Sequence, residues 1–225
     1  MRDLFDTELQ RHRELLVSMT ERVETAIRRS TAALMQGERT LAEQVIDEDL
    51  ELDALQQEVD SLGLEILARQ QPVATDLRVV VTALRMGTTL ERMGDLAVHI
   101  AKLARRRHPG RCVPEPLIPT FEEMGEITAQ LAVGAGEVIA TRDLTLAKQL
   151  AGRDDRLDDL HRLVFATMLA EDWSQPTATT IDMTLGSRFY ERFGDHAVSL
   201  AGRVVYLVTG QFEKAAASTL NQHEV

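Results

Sequence analysis

The segments at residues 91–101 (ERMGDLAVHIA) and 191–201 (ERFGDHAVSLA) lie one hundred positions apart and share seven of eleven residues. A chain that carries one unit twice needs a fold for that unit that also accepts a second copy beside it. A further stretch repeats with an offset of 105: TLAEQV at 40–45 corresponds to TLAKQL at 145–150. In that register Asp49, Leu52, Asp53, Leu55 and Val59 fall on Asp154, Leu157, Asp158, Leu160 and Val164. The offsets differ by five residues, which places a short insertion in the first copy around the turn Gln70-Gln71-Pro72-Val73-Ala74. A connection between helices is where such an insertion is absorbed.

The repeated unit reads as helical. Hydrophobic content of 44% with only 4% aromatic residues, and a chain rich in Ala, Leu, Glu and Arg, favours helices. Apolar residues recur at spacings of three and four, and strand alternation is absent. Leu9, His12, Leu16, Met19, Val23 and Ala26 mark a first helix that Gly37 ends or interrupts. Leu41, Val45, Leu52, Leu55, Val59, Leu62 and Ile66 mark a second. Pro72 breaks the chain, Thr75 or Asp76 can cap, and Leu77, Val80, Leu84, Val98 and Lys102 follow on a third. Four of the six prolines then crowd into residues 108–119, which no helix should cross. Three more helices are expected over 120–141, 143–172 and 177–209. The fold class is therefore all-α, two tandem three-helix bundles. The first occupies 1–108, a proline-rich linker 109–119, the second bundle 120–210, and a loosely held tail 211–225.

Charge and cysteine usage narrow the function. A net charge of -11 and a pI near 5.0 argue against nucleic acid or an anionic membrane as the main partner. The single Cys112 forbids an internal disulfide and fits a reducing compartment. No apolar run approaches the ~20 residues that span a bilayer. The start, MRDLFD, lacks the apolar core of a signal peptide. A soluble cytoplasmic protein without a membrane span is expected.

The duplicated motifs carry paired acids. Glu91 with Asp95, and Glu191 with Asp195, are four apart, one helical turn above each other on one face. Asp49 with Asp53, and Asp154 with Asp158, repeat the pattern. On a wheel of 100° per residue Glu91 and Asp95 fall in line with Leu77, Leu84 and Val98, on the apolar stripe. Carboxylates placed there need compensation, from Arg85, Arg92 or Lys102 or from a cation. Asp49 and Asp53 lie on a flank beside Ile46, Leu50 and Leu64. If the two helices pack side by side, Asp49, Asp53, Glu91 and Asp95 converge, as do Asp154, Asp158, Glu191 and Asp195. Each like-charged pair ~4 Å apart costs about 1 kcal/mol in water and several times more near protein, so such a cluster calls for a cation or for protonation. An all-oxygen donor set suits divalent or multinuclear Fe, Mn, Mg, Zn or Ca. Gly94 and Gly194 stand inside both motifs although mid-helix glycine costs ~1 kcal/mol against Ala, which points to close approach of the cluster or of a packed helix. Asp47 with Glu51, and Asp155 with Asp159, form competing pairs, and the 105-residue offset favours Asp49/Asp53 and Asp154/Asp158.

The paired E/D-x-x-x-D motifs, the Glu-Arg-x-Gly-Asp-x-Ala-x-x-x-Ala helix in both halves, and RQQPVATDLR at 69–78 between the second and third helices resemble the PhoU family. These are accessory and regulatory proteins of the phosphate-specific transport system. The resemblance runs from the first helix to about residue 209. It implies two three-helix bundles of similar topology, metal clusters on the E/D-x-x-x-D motifs and a homodimer. It also implies a regulatory and non-enzymatic role, relaying phosphate sufficiency from the phosphate ABC transporter ATPase to a membrane histidine kinase that is thereby held off.

Two other readings stay open. A ferritin-like di-metal oxidase uses helical carboxylates, but with Glu-x-x-His motifs, and this chain contains none; DDLH at 158–161 is the nearest approach. A metal-free helical scaffold, its acids paired with arginines, is the other. No Gly-x-Ser-x-Gly elbow or phosphate-cradling glycine loop is present, so nucleophilic catalysis has no candidate. Arg105-Arg106-Arg107 reads as a helix end first and a contact patch second.

Overall fold

A computed structural model describes residues 2–211; the tail expected to be loosely held lies, from residue 212, outside the described residues. The chain forms α1 (Arg2–Gln36), α2 (Arg39–Gln70), α3 (Ala74–Arg107), a 3-10 turn (Glu115–Leu117), α4 (Ile118–Thr141), α5 (Leu144–Met168) and α6 (Thr177–Thr209). There is no strand among the described residues.

Local chemistry sets most of the helix ends. Gly37 enters the left-handed region at φ 72° and closes α1, its N–H and that of Glu38 both donating to the Ala33 carbonyl. The Asp143 carboxylate caps α5, accepting from the Thr145 and Leu146 N–H groups at 2.7 and 3.2 Å. The start of α3 departs from expectation: the cap is the extended Val73, without a side-chain bond, and neither Thr75 nor Asp76 caps. Asp76 falls in the first turn, where a negative charge suits the helix dipole. α5 stops at Met168, four residues short of the expected end, because residues 169–173 fold back on themselves through Leu169 N–H to Phe165 O and Trp173 N–H to Ala170 O.

Helices α1, α2 and α3 pack as one bundle and α4, α5 and α6 as another. The two bundles meet over far more than the proline-rich linker. α1 packs along α4 and α3 along α6, and one buried hydrophobic cluster runs through both halves. Small residues bring α1 and α4 close: a methyl added at Gly125 or Gly136 would collide with Thr31 or Thr20. Phe121 meets Tyr190 edge-on at 6.0 Å, both fully buried, and the Tyr190 hydroxyl bonds the Thr31 hydroxyl across the halves at 2.9 Å. Cys112, Val113 and Leu117 of the linker are themselves core residues. The linker also ends sooner than expected, since α4 begins at Ile118 with Pro119 in its first turn, a position that needs no N–H donor. Arg106 and Arg107 close α3 and grip the buried Asp182 of α6, so the arginine run is an anchor between halves.

A shared core makes the halves one cooperative unit. The sole tryptophan, Trp173, sits between α5 and α6 and reports only the second half, whereas far-ultraviolet circular dichroism reports all six helices. Urea unfolding followed by both probes should give coincident single transitions; a fluorescence midpoint displaced from the dichroism midpoint would show that the halves unfold separately.

Candidate metal centre

The rotation of each helix decides which acids meet. On α2, Asp49 and Asp53 are half-buried and turned toward α3, while Asp47, Glu48 and Glu51 are exposed. Glu51 binds Arg22, and Glu48 binds Arg29 at 2.7 Å, on the side facing α1. On α5, Asp154 and Asp158 are half-buried and Asp155 and Asp159 exposed, Asp159 holding Arg162 at 2.6 Å. In each half the pair selected by the 105-residue offset therefore faces the neighbouring helix, and the competing pair faces outward.

Glycine sets how closely the pairs approach. A Cβ at Gly94 would overlap Leu52 and lie 3.5 Å from Asp49 Oδ1. A Cβ at Gly194 would overlap Asp154 Oδ1 and lie 2.6 Å from Leu157 Cδ1. The equivalent leucine and aspartate of the repeat thus use the same glycine, one for packing and one for access to the acids. Tight helix packing and approach of the cluster turn out to be the same event.

The electrostatics of the two quartets differ. In the first, burial raises Asp49, helped by Asp53 and Asp95 and opposed by Lys102 and His99. Glu91 is raised by burial and then by Asp95, while Arg92 opposes the shift. Arg92 reaches both Glu91 (3.4 Å) and Asp95 (3.3 Å), so of the three cations considered from sequence, Arg92 pairs with the α3 acids and Lys102 faces Asp49. Arg85 does neither. In the second quartet burial, followed by Asp195, Asp158 and Glu191, pushes Asp154 up to about 7. Burial and then Asp195 push Glu191 up to about 7 as well, against the pull of Arg188. Asp195 is raised by burial and by Asp158, with Arg188, His196 and Arg192 opposing. Asp154 Oδ1 and Glu191 Oε2 are buried and accept no hydrogen bond.

Orphaned carboxylate oxygens of this kind are costly unless protonated or bound to a cation. Asp154, Asp158, Glu191 and Asp195 therefore fit a hard divalent ion by charge and by donor type. Their side chains stop short of a closed shell: among the described residues no three carboxylate, imidazole or thiol groups gather at coordinating distance. The first quartet fits less well, because Arg92 reaches both of its α3 acids and none of its oxygens is buried without a partner, whereas Arg188 reaches Glu191 alone. The residue that breaks the symmetry is Arg188, which binds Glu191, while its counterpart one hundred residues earlier is Thr88. Sequence reasoning passed over Arg188 because it lies outside the repeated motif.

The PhoU domain family model matches residues 16–104 and again 121–204, one match to each half. The chain is 42% identical over 212 residues to the phosphate-specific transport system accessory protein PhoU homolog 2 of Mycobacterium tuberculosis, covering 94% of this chain and 100% of that protein. It is 32% identical over 211 residues to the PhoU homolog of Zymomonas mobilis, covering 92% of this chain and 87% of that protein. The crystal structure of PhoU from Pseudomonas aeruginosa superposes with a TM-score of 0.81 at 27% identity, over 92% of this chain and all of that one.

The raised acids give the metal-free protein a definite pH dependence. Asp154 and Glu191 hold protons up to about 7 when folded, and release them near 4 when unfolded. Between those values the native state binds more protons, so stability falls as pH rises through the window from about 4 to about 7. Chelator-treated protein should melt lower at pH 8 than at pH 5, with Asp158, Asp195 and Arg188 facing the two groups throughout. The double variant D154N/E191Q should raise the melting temperature at pH 8 by about 2–4 °C for each kcal/mol of relieved repulsion. Added Mn or Mg should stabilise the wild type at pH 8, and not the double variant. Equal melting temperatures at the two pH values, with no response to metal, would remove the argument for a cation.

Proposed function

The chain belongs to the PhoU family, and from that premise we propose that it is a phosphate-transport accessory protein that represses the phosphate-starvation response. In this reading it relays phosphate sufficiency from the ATPase of a phosphate ABC transporter to a membrane histidine kinase. Asp154, Asp158, Glu191 and Asp195, and in a second site Asp49, Asp53, Glu91 and Asp95, hold divalent cations. A bound cation supplies the positive charge these carboxylates lack and so holds α5 against α6 and α2 against α3. The observation that carries the reading is the match of both halves to one phosphate-regulatory family, with the acid quartet present in each.

The role is regulatory and without turnover. Cys112 is buried and its thiol pushed up to about 12, so it offers no thiolate nucleophile. The chain has no Glu-x-x-His to build an oxidase centre. No helix of the described residues is long and apolar enough to cross a membrane, and contacts with membrane partners fall to the protein's surface. Family resemblance adds a homodimer in the cytoplasm. A metal-free scaffold is the second reading, favoured in the first half by the Arg92 bridge to Glu91 and Asp95.

Deletion should leave high-affinity phosphate uptake genes expressed in phosphate-replete cells, measured as transcript level or alkaline phosphatase activity. D154A with D195A should reproduce part of that derepression while the protein remains at normal abundance, and D95A alone should have the smaller effect. Unchanged expression on full deletion would remove the pathway assignment. An oxidase or hydrolase activity lost in the same variants would overturn the regulatory one.

A further inference from the structure

Helices α3 and α6 run antiparallel and meet in rungs spaced by seven residues on both helices. Arg106 binds Asp182, His99 stacks on Phe189 at 5.1 Å, and Arg92 faces His196. Arg85 then faces Arg203, and Arg78 lies against Gly210 and over the Tyr206 ring at 5.9 Å. Every α3 position in this row is basic. Seven-residue spacing places the row along one edge of the helix pair, as at the flanking positions of a coiled coil.

Other seams of the molecule neutralise such rows. Between α1 and α2, Arg11 meets Glu58, Arg22 meets Glu51 and Arg29 meets Glu48. Between α4 and α5, Arg156 meets Glu123 at 2.7 Å. Among the described residues the α3/α6 seam supplies acid at its Asp182 end, and to Arg92 through Glu91 and Asp95. Arg78, Arg85 and Arg203 have no carboxylate partner among the described residues, and the Nε atoms of Arg78 and Arg203 are buried without a hydrogen bond. Burial and the neighbouring Arg85 both disfavour the charged form of Arg203. Arg203 carries burial and the repulsion of Arg85, and Arg78 a buried Nε without an acceptor, and none of the described carboxylates of this strongly acidic chain is placed to relieve them.

We infer that the arginine edge of the α3/α6 seam is a docking surface for an acidic helix of a partner protein, whose carboxylates supply the acid missing from the Arg85–Arg203 and Arg78–Gly210 rungs. The two rungs lie about 10.5 Å apart, one heptad of helical rise. A partner helix bearing carboxylates seven residues apart on one face matches both. A single phosphate matches one rung only. A broad polyanion such as duplex nucleic acid would bring its phosphates over the acid quartets flanking the seam, where they are repelled. The inference rests on the reading that this protein acts through protein contacts, though its test uses purified protein and is independent of gene expression.

The probe is a fluorescent alanine-based helical peptide of about three heptads with glutamates seven residues apart on one face. Its control has the same composition with glutamates five apart. Anisotropy titrations against the full chain should show saturable binding of the heptad peptide, weakened by salt, and at least about tenfold weaker binding of the control. Arg85→Glu should abolish binding and yet raise the melting temperature, because the new carboxylate pairs with Arg203. Arg111→Glu, at an exposed arginine off the seam, should bind as wild type. Several results would overturn the inference: equal binding of the two peptides, binding that survives Arg85→Glu, or tighter binding of tripolyphosphate or single-stranded RNA. Self-association of the wild type that Arg85→Glu abolishes would assign the seam to a second copy of this chain and equally overturn it.

Discussion

Contact between two helices at a glycine is the interaction on which the rest depends. At Gly94 and at Gly194 the absent side chain lets a neighbouring helix settle until a leucine fills the space, Leu52 in one half and Leu157 in the other. The same approach carries an aspartate one turn away, Asp49 or Asp154, into the field of the acids on the facing helix. Packing and charge repulsion are thereby coupled. Burying Leu157 fully is worth about 1.5–3 kcal/mol, and it can be had only together with the carboxylate contact.

The shared core turns two repeats into one body. The rungs at 99/189 and 92/196 bracket the two motif glycines, so Gly94 and Gly194 stand at the same level of the α3/α6 pair. Gly94 opens toward α2 and Gly194 toward α5, and the two acid quartets lie on opposite flanks of one helix pair. Between them runs a row of arginines and histidines. The arrangement alternates charge across the surface, negative, positive, negative, in a chain whose overall balance is strongly acidic.

Duplication has not produced identical sites. In the first quartet Arg92 bridges Glu91 and Asp95 while Lys102 and His99 face Asp49; in the second Arg188 binds Glu191 alone, and two carboxylate oxygens are buried without a hydrogen bond. A cation supplied from solution therefore has more to offset in the second half. Part of the asymmetry lies outside the repeated motif, where Arg188 in the second half stands against Thr88 in the first.

Much of this was legible before any coordinates. The repeat, the helical periodicity and the proline cluster predict two three-helix units, and the 105-residue offset singles out Asp49, Asp53, Asp154 and Asp158 over their neighbours, because helical geometry is local and each i,i+4 pair is set by its own helix. The cap of α3 at Val73 and the early end of α5 were not, since turn hydrogen bonds outcompeted the nominal cap residues. Nor was the fusion of the halves, the core role of Cys112 and Leu117, or the grip of Arg106 and Arg107 on Asp182. The sequence by itself determined which residues share a helix face. Only the tertiary structure decided which faces meet, which acid finds an arginine and which is left without one, because burial and charge pairing depend on elements a hundred residues apart that periodicity cannot align.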